Sequence, residues 1–307
     1  MSLHIRTPLI ESDPLSTRTG KKIYLKLEAL QPPGSFKIRG IGILCERLKT
    51  QGATQFVSSS GGNAGMAVAY AGKKLGIPVT VVVPQTTTER AKNIIASFGA
   101  KVIVHGASWK EAHEQAELIA QGSAALIHPF DHPSLWSGYA SMIDEIVSEG
   151  VRPDAIIVAV GGGGLFSGTV EGLQRNDLSG VPVIAVETEG TASFHAAITA
   201  GKPVELEAIK GIATTLGAKR VATRAFELQL QHPTMSLVVS DHEAASACAT
   251  FLDEHRLLVE PACGAALAPL YGNLAELTPF KTIVCVVCGG ATVTAEQIRN
   301  YASGAGL

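Results

Sequence analysis

The sequence predicts an α/β fold of two open, twisted, largely parallel sheets. Three observations carry that expectation. Short β-branched apolar runs alternate with longer amphipathic runs from Gln55 onward, and glycines close most of the amphipathic runs. A composition of 46% hydrophobic and 17% charged residues leaves enough apolar side chains to bury strands on both faces. At 307 residues the chain is near the length at which one core divides into two.

The first strand is expected where Ile23, Leu25 and Leu27 alternate with Tyr24, Lys26 and Glu28, a pattern that places one face toward water. A helix should follow Gly34 and Ser35, because Ile41, Leu44, Cys45 and Leu48 recur at helical spacing and Ser35 is a natural N-cap. Strand 56–58 then leads into helix 64–75, and strand 79–83 into helix 88–98, each helix closed by a glycine. Strand 101–105 precedes a helix opened by the Ser108/Glu111 capping box, and strand 125–127 completes a β-α-β-α-β-α-β unit. Helix 135–148 crosses out of it. Strands 155–160, 183–186, 237–239 and 283–287 predict a second sheet, with Ser240 and Glu243 capping one of its helices. The expected division is a small domain of residues 38–134 and a large domain combining 1–37 with 135–307.

Several function classes are excluded at this level. A formal net charge of −2 argues against an electrostatic grip on nucleic acid or anionic lipid. No apolar run is long enough to span a bilayer, and the first residues lack the apolar core of a signal peptide. The five cysteines are odd in number and lie in apolar stretches, the pattern of reduced core thiols in the cytoplasm rather than a disulfide framework. Cys285 and Cys288 have CxxC spacing but sit in a buried-strand pattern. His128 and His132 are four apart, yet Pro129 and Pro133 deny them a regular helix and its ligand geometry.

Four segments carry chemistry. Lys37 stands in the first turn of its helix, where the positive end of the helix dipole disfavours a charged amine. A neutral lysine is a nucleophile toward carbonyls. Gly161, Gly162, Gly163 and Gly164, with Leu165, join a strand to a helix, so that successive backbone N–H groups converge as a phosphate cradle. Ser60, Gly61 and Asn63 lie in a second strand-to-helix turn suited to a carboxylate. Cys288 follows the last strand, where a small side chain meets a ligand lying across the strand ends. An aldehyde-binding lysine, a phosphate loop and two groups for a ring together describe pyridoxal 5′-phosphate.

On these motifs, and on Val186-Glu187-Thr188, Ser193-Phe194-His195 and Val259-Glu260-Pro261, the chain resembles the fold-type II (tryptophan synthase beta-like) pyridoxal-phosphate enzymes. Within them it is similar to the L-serine/L-threonine dehydratases, above all the short catabolic animal-liver type. The resemblance implies that the cofactor lies in the cleft between the two domains. It implies a Schiff base on Lys37, which also acts as general base, with Phe36 against the ring. It further implies phosphate binding by Gly161, Gly162, Gly163, Gly164 and Leu165, and ring contacts from Asn63 and Cys288. Ser60, Gly61 and Asn63 are expected to hold the substrate carboxylate, with the Ser60 hydroxyl a candidate second acid/base. Glu187 and Ser193, with the backbone carbonyls of Leu216 and Ala218, would form a monovalent-cation site for potassium. A cytoplasmic homodimer acting on a small amino acid is implied too.

Where many relatives carry alanine or serine, this chain has Gly61. An alanine there is expected to hold the substrate more firmly. A racemase or threonine-preferring dehydratase on the same scaffold, a silent cofactor binder, and a nicotinamide oxidoreductase using the glycine loop are the competing expectations.

Overall fold

A computed structural model describes residues 2–304. Ten strands form two sheets: β1 (Leu9–Glu11), β2 (Lys22–Lys26), β3 (Gln55–Ser58), β4 (Val79–Val83), β5 (Lys101–Val104), β6 (Ala124–Leu126), β7 (Ala155–Ala159), β8 (Val183–Thr188), β9 (Thr234–Val239) and β10 (Thr282–Val286). The larger sheet has the order β1-β2-β10-β7-β8-β9 and the smaller β5-β4-β3-β6. Every pairing is parallel except β1 with β2. Strands β4 and β7 are buried along their whole length, which explains their unbroken apolar sequences. β1 was not legible as a strand, and β9 begins three residues before the apolar run that suggested it.

The early strand departs from expectation. Its expected wet face keeps Tyr24 only half-buried, but the side chains of Lys26 and Glu28 are fully shielded from water. Arg39, equally buried, accounts for this. It donates to both oxygens of Glu28 at 2.7 Å and to both oxygens of Glu145 at 2.7 Å. Lys26 adds bonds to Glu145 at 2.5 Å and to the Thr7 carbonyl at 2.7 Å. Alternation alone cannot tell a solvated charge from one that a distant residue neutralises. This cluster ties helix Lys37–Thr50 to β2 and to helix Pro133–Ser148, two residues from Lys37 itself.

The cap of helix Lys37–Thr50 also differs. Phe36, already helical at φ −53°, precedes it with no side-chain cap, and the Ser35 hydroxyl is buried without a partner. The turn is instead strapped to the far end of the chain. Phe36 N–H donates to the Cys288 carbonyl at 3.0 Å, and Gly290 N–H to the Gly34 carbonyl at 3.1 Å. Backbone pairing with the segment that follows β10, a strand inside the larger sheet, replaces the local cap, and it sets Lys37 near Cys288.

Candidate active site

The residues singled out by sequence follow the carboxyl ends of parallel strands, where open α/β sheets leave a crevice. Ser60, Gly61 and Asn63 follow β3, the glycines 161–164 follow β7, Glu187 is in the last turn of β8, and Cys288 follows β10.

The Lys37 amine donates to the Pro129 carbonyl at 2.8 Å and lies 5.2 Å from the centre of the Phe36 ring. Burial lowers its pKa to about 8, while the nearby Cys288 and Glu260 act in the opposite direction. Burial in protein is thus the first cause of the shift that readies this amine. Phe36 is held edge-on by Tyr139, with ring centres 4.9 Å apart.

The glycine loop has the shape of a cradle. Gly163 adopts φ +87°, a left-handed conformation that lets the helix Gly164–Arg175 start immediately after it. A side chain at Gly162 would run into the Phe130 ring, and a Cβ on Gly161 would come within 2.8 Å of the Leu216 backbone. The segment His128 to Asp131 therefore walls both the amine and the loop. Its His128 ring accepts backbone N–H bonds from Phe130 and Asp131 on Nδ1, and burial lowers its pKa to about 4, so it stands neutral. His132 Nδ1 accepts from Ser134 N–H and caps the next helix. Both histidines are occupied locally.

Asn63 opens helix Asn63–Leu75 and is 8% exposed. Its Nδ2 donates to Glu260 at 2.6 Å, while Oδ1 has no partner. Ser60 Oγ accepts from Gly62 N–H at 3.3 Å. The space beside Gly61 is not open: a Cβ there would lie 2.6 Å from Thr87 Oγ1. Cys288 is buried, and a hydrogen bond with Cys263, then burial, pushes its thiol well up, which keeps it neutral. An orphaned acceptor, a cradle with no room for side chains and an amine whose pKa burial lowers fit pyridoxal phosphate.

The expected cation ligands are distributed as follows. The Glu187 carboxylate accepts backbone N–H bonds from Phe194 at 2.8 Å and His195 at 2.7 Å, and burial raises its pKa to about 8. The Ser193 hydroxyl is buried without a partner, and the Leu216 carbonyl accepts from Ala218 N–H at 2.7 Å. The Glu187 carboxylate is thus held by neutral backbone groups of the segment that also carries the orphaned Ser193 hydroxyl. Among the described residues, no three His, Cys, Asp or Glu side chains cluster as a metal site.

Sequence reasoning gave no role to Glu260, Pro129, Phe130, Thr87, Thr215 or Thr292. Glu260 had one usable signal, an acid embedded in the apolar stretch from Leu257 to Leu267. Pro129 acts through its backbone, Phe130 and Thr87 through shape, and Thr215 and Thr292 through hydroxyl bonds to the distant Glu260, so none of them leaves a local pattern.

Comparison with known proteins agrees with this geometry. A family model described as pyridoxal-phosphate dependent enzyme matches residues 1–289. The chain is 46% identical over 308 residues to L-serine dehydratase/L-threonine deaminase of Homo sapiens, spanning 97% of this chain and 94% of that protein. The structure of a fungal L-serine ammonia-lyase from Rhizomucor miehei superposes with a TM-score of 0.95 at 36% identity, covering 99% of both chains. Maize serine racemase superposes with a TM-score of 0.89 at 26% identity, covering 98% of this chain and 92% of that one.

Proposed function

The chain belongs to the pyridoxal-phosphate dependent enzymes, with the fold-type II architecture, and from that premise we propose the following function and assignment of roles. It is an ammonia-lyase that converts L-serine to pyruvate and ammonia, and L-threonine to 2-oxobutyrate and ammonia. The water lost when the β-hydroxyl leaves is returned when the released enamine hydrolyses. The observation that carries this reading is the Lys37 amine, poised near neutrality beside a glycine cradle.

Pyridoxal phosphate, when bound, supplies an aldehyde that condenses with amines and a ring that withdraws electrons from the substrate α-carbon. The chain supplies the rest. Backbone N–H groups of the glycines 161–164 and Leu165, at a helix start, bind a phosphate dianion. Phe36 and Asn63 line the ring. Ser60, Gly61 and Asn63 receive the substrate carboxylate. Lys37 Nζ, once neutral, accepts the α-proton as general base. The neutral Cys288 thiol is a poor proton donor to a ring nitrogen, which favours prompt loss of the β-group over a long-lived carbanion. Glu187, Ser193 and the carbonyls of Leu216 and Ala218 hold a potassium ion that stiffens the segment beneath Gly161.

We divide the chain at 38–134 and 1–37 with 135–307, following the two sheets. A homodimer in the cytoplasm completes the proposal; the five cysteines are all free and buried, which suits a reducing compartment. The test is keto-acid release by purified, cofactor-loaded protein from serine and from threonine, with and without potassium. Borohydride reduction and peptide mapping should place the cofactor on Lys37. A loaded protein that releases no keto acid would refute the activity.

A further inference from the structure

The turn that leads from β3 into helix Asn63–Leu75 carries Ser60 and Gly61, and Ser59 stands just before them. Among the described residues, two side-chain hydrogen bonds tie the segment from Ser58 to Asn63 to distant elements. Asn63 Nδ2 reaches Glu260 at 2.6 Å, in the unit of the larger sheet. Ser59 Oγ, buried in the unit of the smaller sheet, lies 2.9 Å from His113 Nδ1 on helix Trp109–Ile119. The second bond therefore sets the turn against its own sheet.

The strand prepares this contact. Side chains alternate between sheet faces, so Val57 and Ser59 share the face opposite to Phe56 and Ser58. Val57 packs with Val82, Ala112 and Ala116 in a small core beneath helix Trp109–Ile119. His113, next to Ala112, meets Ser59 beside that core. Its ring is held from both directions along the helix. Trp109, one turn earlier, stacks on it with ring centres 4.7 Å apart, and the Glu117 carboxylate, one turn later, lies 3.8 Å from Nε2. A hydroxyl can donate to a bare Nδ1 or accept from a protonated one, so the bond is open to every protonation state of the ring. Without it the Ser59 oxygen would be buried with no partner, a cost that favours moving the turn toward water.

We propose that His113 is a positioning residue: through Ser59 it fixes the turn that receives the substrate carboxylate. This rests on the functional reading above, in which Ser60, Gly61 and Asn63 hold that carboxylate. The carboxylate is held in the bound substrate and in the reacting species alike, so a looser turn raises KM and leaves kcat largely unchanged. The phosphate cradle follows β7 of the larger sheet, so cofactor affinity is spared.

The experiment measures kcat and KM for serine, cofactor affinity and Tm in wild type, Ser59→Ala, His113→Phe, the double variant and His113→Asn. Ser59→Ala and His113→Phe should each raise KM about fivefold, the factor that ~1 kcal/mol represents, with kcat and cofactor affinity within about twofold. Phenylalanine preserves the stack on Trp109 while removing the bond. The double variant should be no worse than either single one, because both remove the same interaction. Asparagine sets an amide where Nδ1 stood, able to donate or accept, and should bring KM back to within about twofold of wild type. A merely structural role would lower Tm without moving KM. That outcome, multiplied effects in the double variant, or an asparagine variant as poor as the phenylalanine one would overturn the proposal. If His113→Phe does not fold, Ser59→Ala must raise KM on its own, and an unchanged KM overturns it. No keto acid from loaded wild type overturns the functional assignment and this inference together, whereas keto acid release with unchanged KM in the variants overturns only the inference.

Discussion

The Thr87 side chain occupies the volume that a side chain at Gly61 would need. A Cβ on Gly61 would sit 2.6 Å from Thr87 Oγ1, 2.7 Å from Cγ2 and 3.2 Å from Cβ. Threonine is β-branched and has few rotamers with which to retreat. Gly61 and Thr87 therefore behave as one packing unit, with the small residue on the substrate turn and the larger one on the loop after β4. Gly61→Ala alone should displace the substrate turn and lower kcat/KM for serine about tenfold, as small misplacements of a substrate do. Gly61→Ala combined with Thr87→Ala should recover most of that loss, a coupling that a double-mutant cycle measures. A faster Gly61→Ala single variant would show that Thr87 gives way freely.

The amine at Lys37 should be captured by pyridoxal phosphate in a pH-dependent way. Its pKa is lowered to about 8, so the charged form dominates below that pH and the neutral nucleophile above it. In the cofactor-free protein, the initial rate of adduct formation should rise about tenfold between pH 7 and pH 9 and then level off. Stopped-flow absorbance would follow it. A rate still climbing steeply above pH 10 would mean an ordinary, solvated lysine.

Gly163 and Gly150 provide a matched pair of left-handed glycines, at φ +87° and +80°. A Cβ on Gly163 would meet Ala225 Cβ at 2.5 Å, whereas Gly150 has nothing within 4 Å. Gly150→Ala should cost about 1 kcal/mol of stability through backbone strain and leave cofactor affinity unchanged. Gly163→Ala should add a weakening of pyridoxal phosphate binding of about tenfold, because the phosphate loop itself must shift. Absorbance titration and thermal melts separate the two effects.

Potassium should stabilise the protein more as pH rises. Burial holds the Glu187 pKa near 8, above its ordinary value. Such a group favours the folded state below its unfolded pKa, and that contribution is lost as pH climbs through the folded value. A bound cation removes the penalty by pairing with the ionised carboxylate. The rise in Tm on replacing a large organic cation with potassium should thus be small near pH 5.5 and larger near pH 8.5. Glu187→Gln should abolish the difference. An equal potassium effect at both pH values would argue that the ion binds elsewhere.

The chemistry-bearing turns were legible because their residues carry their properties locally. Four consecutive glycines after an apolar strand read as a turn, and capping boxes such as Ser108 with Glu111 and Ser240 with Glu243 form as their spacing requires. Lys26 and Glu28 misled for the opposite reason. Their burial depends on Arg39 and Glu145, residues 11 to 119 positions away from them, whose charges no periodicity records. Ser35 misled because a backbone strap from Cys288 made its cap unnecessary.

By itself, then, the sequence determined the α/β class, the alternation of strands and helices, and which turns are the candidates for an amine, a phosphate and a carboxylate. These follow from side-chain type and from periods of two and 3.6 residues, which are short-range properties. Only the tertiary structure decided that Pro129 receives the Lys37 amine, that Phe130 walls the glycine loop, that Thr87 fills the space at Gly61 and that Glu260 accepts from the Asn63 amide. Those relationships join segments far apart in the chain, and they are set by packing and by the need of each buried polar group for a partner.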